Sequence, residues 1–321
     1  MSNSEIKDLM SMLTSCYRSG ANTEMEKALL ALAGIMINKP DNEGETPLWV
    51  AAKTSNTEMV KMLISAPGID VNQVEKNRRT PLFVASENGH AEVAKLLLAV
   101  PGINVNHADK NERTPLFVAS ENGHAEVVNV LLNKGSNVNH ADKDGYTPLH
   151  RATRNGKEKV VNVLLKAGAN INKEDNTGRT PLHWATINGK EEVVKLLLFE
   201  GADPKKTDKT GKTPLHYAGG VDIAKWLLHK GANINKEDNT RQTPLHIATH
   251  YHNMKMVEFL VERGSQIYMS MFPSDDYEKT DTEKFLCRKF NWAGNKRVFD
   301  NHKKVDESLR FGYGFGFNDS D

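Results

Sequence analysis

The sequence predicts an all-α solenoid, in which short helix-turn-helix units stack one after another along the chain. Two observations predict this fold. The first is a Thr-Pro-Leu triplet that recurs at steps of 34, 34, 33, 33, 33 and 30 residues. The second is an internal duplication, because residues 79–93 and 113–127 are identical. The seven triplets begin at Thr46, Thr80, Thr114, Thr147, Thr180, Thr213 and Thr243.

Residues 142–174 show how one unit is built. Thr147 has the side chain expected of a helix N-cap, and Pro148 occupies the first helical position, where its missing N–H costs nothing. Gly156 is expected to end this first helix, and Gly168 to end the second. The apolar stripe of the second helix consists of Val160, Val161, Leu164 and Leu165.

Helices of roughly eight to ten residues are too short to be stable alone in water, so each unit must bury its apolar side against the next. A period near 33 residues that carries Thr-Pro-Leu resembles the ankyrin repeat family, and the resemblance covers residues 40–268. It implies helix-turn-helix units joined by β-hairpin-like fingers. We predict a degenerate N-terminal capping repeat in residues 1–40, seven ankyrin repeats in residues 41–270 and a non-repeat C-terminal segment in residues 271–321.

The C-terminal segment is rich in aromatic residues, with 10 of the 22 in the chain. A predicted helix near Thr282 places Phe285, Leu286 and Phe290 on one side, where they could cover the last repeat. This pattern favours a C-terminal cap. The alternatives are a tail that recruits other proteins and disorder, above all in residues 311–321, where glycine alternates with aromatic residues.

The sixth repeat departs most from the common pattern, because three residues are missing between its two helices, near Ala218-Gly219-Gly220. The shortened connection predicts a local notch in the surface. Two interpretations stay open: a deletion that is tolerated in a surface turn, and a notch that binds a partner.

Histidine recurs at one position of the repeat, three residues after the threonine of the triplet. Equivalent side chains in stacked helices lie about 8–10 Å apart, whereas two imidazoles on one zinc ion must approach within about 4 Å. This spacing excludes a shared metal, and the ankyrin resemblance implies that the rings bond the backbone of the fingers. The residues are His150, His183, His216 and His246, and the first three repeats carry Trp49, Phe83 and Phe117 there instead.

Aspartate recurs in the finger turns, and the same spacing excludes close carboxylate pairs among these residues. We expect them to bond the turn backbone. No phosphate-binding loop, nucleophile motif or metal-ligand pattern is recognisable. We therefore predict a protein that is not an enzyme, with no catalytic residue, no cofactor and no metal. The aspartates are Asp41, Asp109, Asp142, Asp175, Asp208 and Asp238.

The charge balance gives no reason to expect nucleic acid or an anionic membrane as a partner, because 42 Lys and Arg residues face 41 Asp and Glu residues. The only cysteines, Cys16 and Cys287, would lie beyond disulfide reach in such a stack, which favours a reducing compartment. No signal peptide and no long apolar stretch is found. We expect a monomer in the cytoplasm, with the nucleus as the alternative.

The ankyrin resemblance implies that partners bind on the concave side, at the finger tips and the first helices. The residues just before the triplets are locally basic, and the ends of the first helices add polar side chains. Since Arg and Tyr commonly anchor interfaces, we predict a scaffold or adaptor for an acidic or mixed-charge protein segment. The candidate partner-binding residues are Arg79, Arg113, Tyr146, Arg179, Lys212, Glu87, Asn88, Glu121, Asn122, Arg154, Asn155, Ile187 and Asn188.

Two further interpretations of these features stay open. In a two-part adaptor or host-directed effector, the repeats would select a target and residues 271–321 would recruit other machinery. Alternatively, the charged finger tips would only keep the edge of the stack soluble and unpaired.

Overall fold

The computed structural model describes residues 37–267 and 280–289, and all regular secondary structure within these ranges is helical. The predicted N-terminal capping repeat lies outside the described residues except for residues 37–40. Of the predicted C-terminal segment, only residues 280–289 are described. The chain divides into two compact units, residues 1–201 and 202–321.

The described part of the first unit contains five helical hairpins. Each first helix packs against the first helix of the next hairpin, and each second helix packs against the next second helix, so the described part of this unit has two helical layers. The helices are α1 (Pro47–Lys53), α2 (Thr57–Ser65), α3 (Pro81–Asn88), α4 (Ala91–Ala99), α5 (Pro115–Asn122), α6 (Ala125–Asn133), α7 (Pro148–Arg154), α8 (Glu158–Lys166), α9 (Pro181–Ile187) and α10 (Glu191–Phe199).

Five of the seven triplets lie in the first unit, and the leucine of each belongs to its core. All five are fully buried, and valine and leucine side chains of the second helices, such as Val128 and Leu131, are buried with them. No helix described between residues 37 and 201 exceeds nine residues, so the hairpins depend on their neighbours for stability. The triplet leucines are Leu48, Leu82, Leu116, Leu149 and Leu182.

The second unit contains a 3₁₀-helix, Pro214–Tyr217, followed by α11 (Val221–His229), α12 (Pro244–His250), α13 (Met254–Glu262) and α14 (Asp281–Lys289). Helix α14 packs against α13. Leu286 of α14 is fully buried and Phe285 is half-buried. The described helix of the C-terminal segment therefore contacts the last repeat, and one of the helical positions that the sequence singled out is buried.

The first helices begin as the sequence predicts. Thr80 has an extended backbone, its hydroxyl oxygen accepts a hydrogen bond from the Phe83 N–H at 3.1 Å, and Pro81 is the first helical residue. Thr147 and His150 form a reciprocal capping pair, because the Thr147 N–H also donates to His150 Nδ1 at 3.0 Å. The triplet therefore fixes where each of these helices starts.

The fingers are tight turns organised by one acidic side chain each. In the third repeat, Asp109 Oδ1 accepts hydrogen bonds from the N–H groups of Asn111 and Arg113, at 2.8 and 2.9 Å. This confirms the expected role of the recurring aspartates, which Glu75 takes over in the second repeat. Neighbouring fingers are joined through the main chain, as in the bond from Lys110 N–H to the Asn77 carbonyl at 3.0 Å.

The sixth repeat has the shortened connection that the sequence predicts. Its first helix is reduced to one 3₁₀ turn, and Gly219 and Gly220 are exposed before α11 begins. The Asn253 side chain of the next repeat donates to the Gly219 carbonyl at 2.9 Å, so the connection is held in place.

Candidate protein-binding surface

Twelve of the predicted partner-binding residues lie in the first unit, on a surface that we call the first-helix face. It comprises the finger residue before each triplet and the last turn of each first helix, from the second repeat to the fifth. Every one of the twelve is half-buried or exposed. They are Arg79, Arg113, Tyr146, Arg179, Glu87, Asn88, Glu121, Asn122, Arg154, Asn155, Ile187 and Asn188.

Arg79 and Arg113 are bound to acidic side chains of their own repeats. Arg79 Nε donates to Glu75 Oε1 at 2.9 Å, and its Nη1 lies 3.4 Å from Glu87 Oε2. Arg113 Nε and Nη2 both donate to Asp109 Oδ2, at 2.9 and 2.8 Å. Burial would raise the pKa of Glu75, but hydrogen bonds from Arg79 and the turn backbone lower it. These arginines therefore neutralise buried carboxylates.

Tyr146 replaces the basic finger residue in the fourth repeat. Its ring packs against a buried cluster that includes Phe83 and Phe117. The ring centroid lies 5.5 Å from that of Trp184 in an edge-on arrangement, and Arg151 Cζ lies 4.2 Å from the Tyr146 centroid. Burial raises the pKa of the Tyr146 phenol, so the side chain stays neutral.

The fifth repeat differs from the second and third, because a tryptophan side chain bonds the acidic residue of the turn that carries Arg179. The indole N–H of Trp184 donates to Asp175 Oδ2 at 2.8 Å, and the Arg179 backbone N–H donates to Asp175 Oδ1 at 3.0 Å. The Arg179 guanidinium lies over the Trp184 ring, with Cζ 5.2 Å from the ring centroid. The carbonyl of Arg179 accepts a hydrogen bond from His150 Nε2 at 3.2 Å.

The asparagines at the helix ends make two kinds of backbone contact. Asn122 and Asn155 link repeats, because their side-chain amides donate to the Glu87 and Glu121 carbonyls at 2.8 and 2.9 Å. The other two bond within their own helices: Asn88 to the Val84 carbonyl at 2.8 Å and Asn188 to the Trp184 carbonyl at 2.9 Å. Only the first pair therefore contributes to the register between repeats.

Arg154 and Ile187 end the first helices of the fourth and fifth repeats. Arg154 Cζ lies 5.0 Å from the Trp184 ring centroid, and within the described residues the Arg154 side chain makes no hydrogen bond or ion pair. Ile187 is half-buried.

Lys212, the thirteenth predicted residue, belongs to the second unit. Its Nζ lies 3.9 Å from Asp238 Oδ2 and 5.9 Å from the Tyr217 ring centroid. The Tyr217 hydroxyl donates to Asp208 Oδ2 at 2.5 Å. Lys212 thus lies near both an acidic side chain and an aromatic ring, as Arg79 does in the second repeat.

The sequence reasoning missed one position on this face, the residue that directly follows the histidine or aromatic residue after the triplet. Arg151 occupies it in the fourth repeat, where its Nη2 lies 3.3 Å from Asp142 Oδ2 and its Cζ lies 5.6 Å from the Phe117 centroid. A usable signal was present, because this position varies in side-chain type while the triplet does not. Its occupants are Val50, Val84, Val118, Arg151, Trp184, Tyr217 and Ile247.

His150 and His216 have the structural role that the resemblance implies. His150 Nδ1 accepts from the Thr147 N–H, which can only donate, so the ring proton is on Nε2 and is donated to the Arg179 carbonyl. His216 connects Thr213 to the Gln242 carbonyl in the same way. Burial lowers the pKa of His150 to about 4, and the ring is neutral at pH 7.

Within residues 37–267 and 280–289, no group of three or more His, Cys, Asp or Glu side chains is placed to hold a metal ion. None of the helices in the described ranges is both long and apolar enough to cross a membrane.

Comparison with known proteins agrees with this architecture. A family model described as ankyrin repeats (3 copies) matches residues 9–109, 98–175, 135–208 and 182–271. The crystal structure of the human ASB11 ankyrin repeat domain is similar to this chain, with 32% sequence identity and a TM-score of 0.62, and the match covers 68% of this chain and 98% of that chain. A search of curated proteins found no match. Since the family model spans well over half of the chain, this protein belongs to the ankyrin repeat family.

Proposed function

We propose that this protein is a non-enzymatic scaffold or adaptor that binds a segment of another protein on its first-helix face. Ankyrin repeats generally mediate protein–protein interaction, and the family is typically non-enzymatic. The proposal concerns which surface of this chain binds.

One observation supports the first-helix face above all. Cationic side chains lie over aromatic rings in successive repeats, with the cation at 4.7–6.0 Å from the ring centroid. Three of the rings, Trp49, Phe83 and Phe117, are fully buried, so the cations cover them at the surface. The pairs are Lys53 and Arg79 over Trp49, Arg113 over Phe83, Arg151 over Phe117, and Arg154 with Arg179 over Trp184.

Such pairs suit a binding surface because they hold long side chains in place before a partner arrives. An unrestrained arginine loses roughly 0.5–1.5 kcal/mol of side-chain entropy when an interface fixes it. A guanidinium that is already stacked on a ring, and bonded to an acid as in Arg79 and Arg113, loses less of this freedom on binding. Arg, Tyr and Trp are also the residues that most often dominate binding energy.

The proposal predicts that new charge on the first-helix face blocks partner binding. Asn88 and Asn188 are exposed at the ends of α3 and α9, and each side-chain amide donates to a carbonyl of its own helix. A chain with both residues changed to glutamate should recover its bound proteins from cell extract at least about tenfold less than wild type, measured by quantitative mass spectrometry, because the added carboxylates repel an acidic partner segment.

A matched control changes the same residue type on the opposite layer. Asn129 and Asn133 are exposed on the second helix α6, and the double change of these residues to glutamate adds the same charge. Recovery should then stay at the wild-type level. Equal recovery by both double variants would count against the first-helix face as the binding surface.

We also propose that residues 271–321 act as a C-terminal cap, which the packing of α14 against α13 and the burial of Leu286 support. Deleting these residues should expose apolar side chains of α13, such as Met256 and Phe259, which are buried in the full chain. Hydrogen exchange of the α12 and α13 amides should accelerate, because the end of a repeat stack needs a cover. If exchange is unchanged and one bound protein is lost, the segment recruits a partner instead.

A further inference from the structure

The residue six positions after the triplet proline lies at or near the end of each first helix described in the first unit. Among the described residues of this unit, four of the five side chains at that position are charged. Three of these four are paired with a charge of opposite sign inside the chain. The five residues are Lys53, Glu87, Glu121, Arg154 and Ile187.

The three pairs follow one pattern. The charged side chain at this position contacts a side chain of opposite charge on a finger or on a neighbouring first helix. The distances are 3.3 Å for Lys53 Nζ to Glu45 Oε1, 3.4 Å for Glu87 Oε2 to Arg79 Nη1, and 3.8 Å for Glu121 Oε1 to Arg151 Nε. Arg154 is the exception, since no ion pair to it is found in the described part of the chain.

The reason for this exception is visible around Trp184. The acid nearest to the indole, Asp175, already accepts hydrogen bonds from Trp184 Nε1 through Oδ2, and from Thr177 and the Arg179 backbone through Oδ1. Asp175 is thus committed to the indole and to its own turn. The Arg154 guanidinium rests on the Trp184 ring and keeps its N–H groups available. A stacked guanidinium is weakly hydrated and matches the two oxygens of a carboxylate.

Ile187 supplies the apolar neighbour of this cation. It ends α9, which packs directly against α7, the helix that Arg154 ends. Equivalent positions on packed helices are about 8–10 Å apart. A polyproline-II segment rises about 3.1 Å per residue with three residues per turn, so side chains three residues apart point the same way at a separation of roughly 9 Å.

From this match we infer that Arg154 and Ile187 recognise an extended segment of a partner protein that carries an acidic residue and an apolar residue three positions apart. The carboxylate binds the Arg154 guanidinium, and the apolar side chain lies on Ile187. The inference rests on the proposed function, because it specifies the partner of the same face.

The test uses synthetic peptides and the full chain. The probe is a fluorescein-labelled eight-residue peptide with Glu at its third position, Leu at its sixth and Pro elsewhere, and binding is followed by fluorescence anisotropy. Replacing the peptide Glu by Gln should weaken binding about tenfold, because a charge-assisted pair becomes a neutral contact. Moving the Leu by one position should weaken binding severalfold, since it then points away from Ile187.

A charge exchange makes the assignment specific to Arg154. Arg154→Glu introduces the residue that the second and third repeats carry at the equivalent position, Glu87 and Glu121, so the fold accepts it. This variant should bind the Glu peptide at least about tenfold more weakly than wild type and bind the corresponding Lys peptide more tightly than wild type does. Lys159→Glu, which makes the same charge change at an exposed position of α8, should bind both peptides as wild type does.

The outcomes separate this inference from the proposed function. Equal binding of the Glu and Gln peptides, or equal behaviour of Arg154→Glu and Lys159→Glu, would overturn the inference. If the Asn88 and Asn188 double variant still loses its partners in that case, the first-helix face binds proteins by other contacts and the proposed function stands. If that variant also keeps its partners, both fall.

Discussion

Replacing His150 with alanine is expected to lower the free energy of unfolding by about 3–5 kcal/mol, among the largest effects of any single substitution in this chain. The side chain is fully buried. It accepts a hydrogen bond from Thr147 and donates one to the carbonyl of Arg179 in the next repeat. Alanine leaves a cavity and deprives both backbone groups of their partners, and each buried unpaired group costs about 1–3 kcal/mol.

The chain itself supplies the control for this substitution. Phe83 and Phe117 occupy the equivalent position in the second and third repeats and are fully buried there. His150→Phe should therefore keep most of the packing and lose only the hydrogen bonds, with a cost of about 1–3 kcal/mol. Urea unfolding followed by circular dichroism measures both variants. An alanine variant as stable as wild type would contradict the assigned role.

Acidification is expected to destabilise the repeats between pH 6.5 and about 4. Burial lowers the pKa of His150 to about 4, although the hydrogen bond to the Arg179 carbonyl opposes this shift, and burial lowers the pKa of His246 to about 4 as well. Well above pH 6.5, both imidazole rings are neutral in the folded chain and in the unfolded chain. As the pH falls, the unfolded chain binds protons first, so stability is lost, and for His150 the loss reaches roughly 3 kcal/mol near pH 4.

The histidine contribution can be separated from that of the carboxylates by its pH window. Asp175, Asp208 and Asp238 are buried, which raises their pKa, but hydrogen bonds outweigh burial and hold each pKa below its usual value. Their stabilising effect is therefore lost only below about pH 4. Urea midpoints measured from pH 7 to 4.5 should fall less steeply for His150→Phe than for wild type. Parallel curves would show that His150 does not titrate as assigned.

The sequence predicts features of this fold that depend on local pattern. The caps at Thr80 and Thr147, the turn role of Asp109 and the bonds of His150 recur in fixed register with the triplet, so each copy supports the others. The same reasoning predicted the short connection of the sixth repeat. These features belong to the framework that makes one repeat fit the next.

The chemistry of the first-helix face was harder to predict, because it depends on which side chains meet. The residues before the triplets form a basic row in the sequence, but the structure pairs Arg79 and Arg113 with acidic side chains. Their partners, Glu75 and Asp109, each lie four residues earlier. That spacing was a usable signal. The contact of Trp184 with Asp175 spans nine residues and depends on how the finger folds back over the helix, which the sequence pattern does not give.

Part of the bonding between neighbouring fingers runs from main-chain amide to main-chain carbonyl, as from Lys143 to Asn111 at 3.2 Å and from Asn176 to Asp144 at 3.0 Å. Every amino acid except proline offers the same two groups, so these links are indifferent to side-chain identity. Mutation can therefore change what a fingertip displays without removing these main-chain links to the adjacent one. A duplicated unit can in this way acquire a new specificity while the geometry that it inherited is retained.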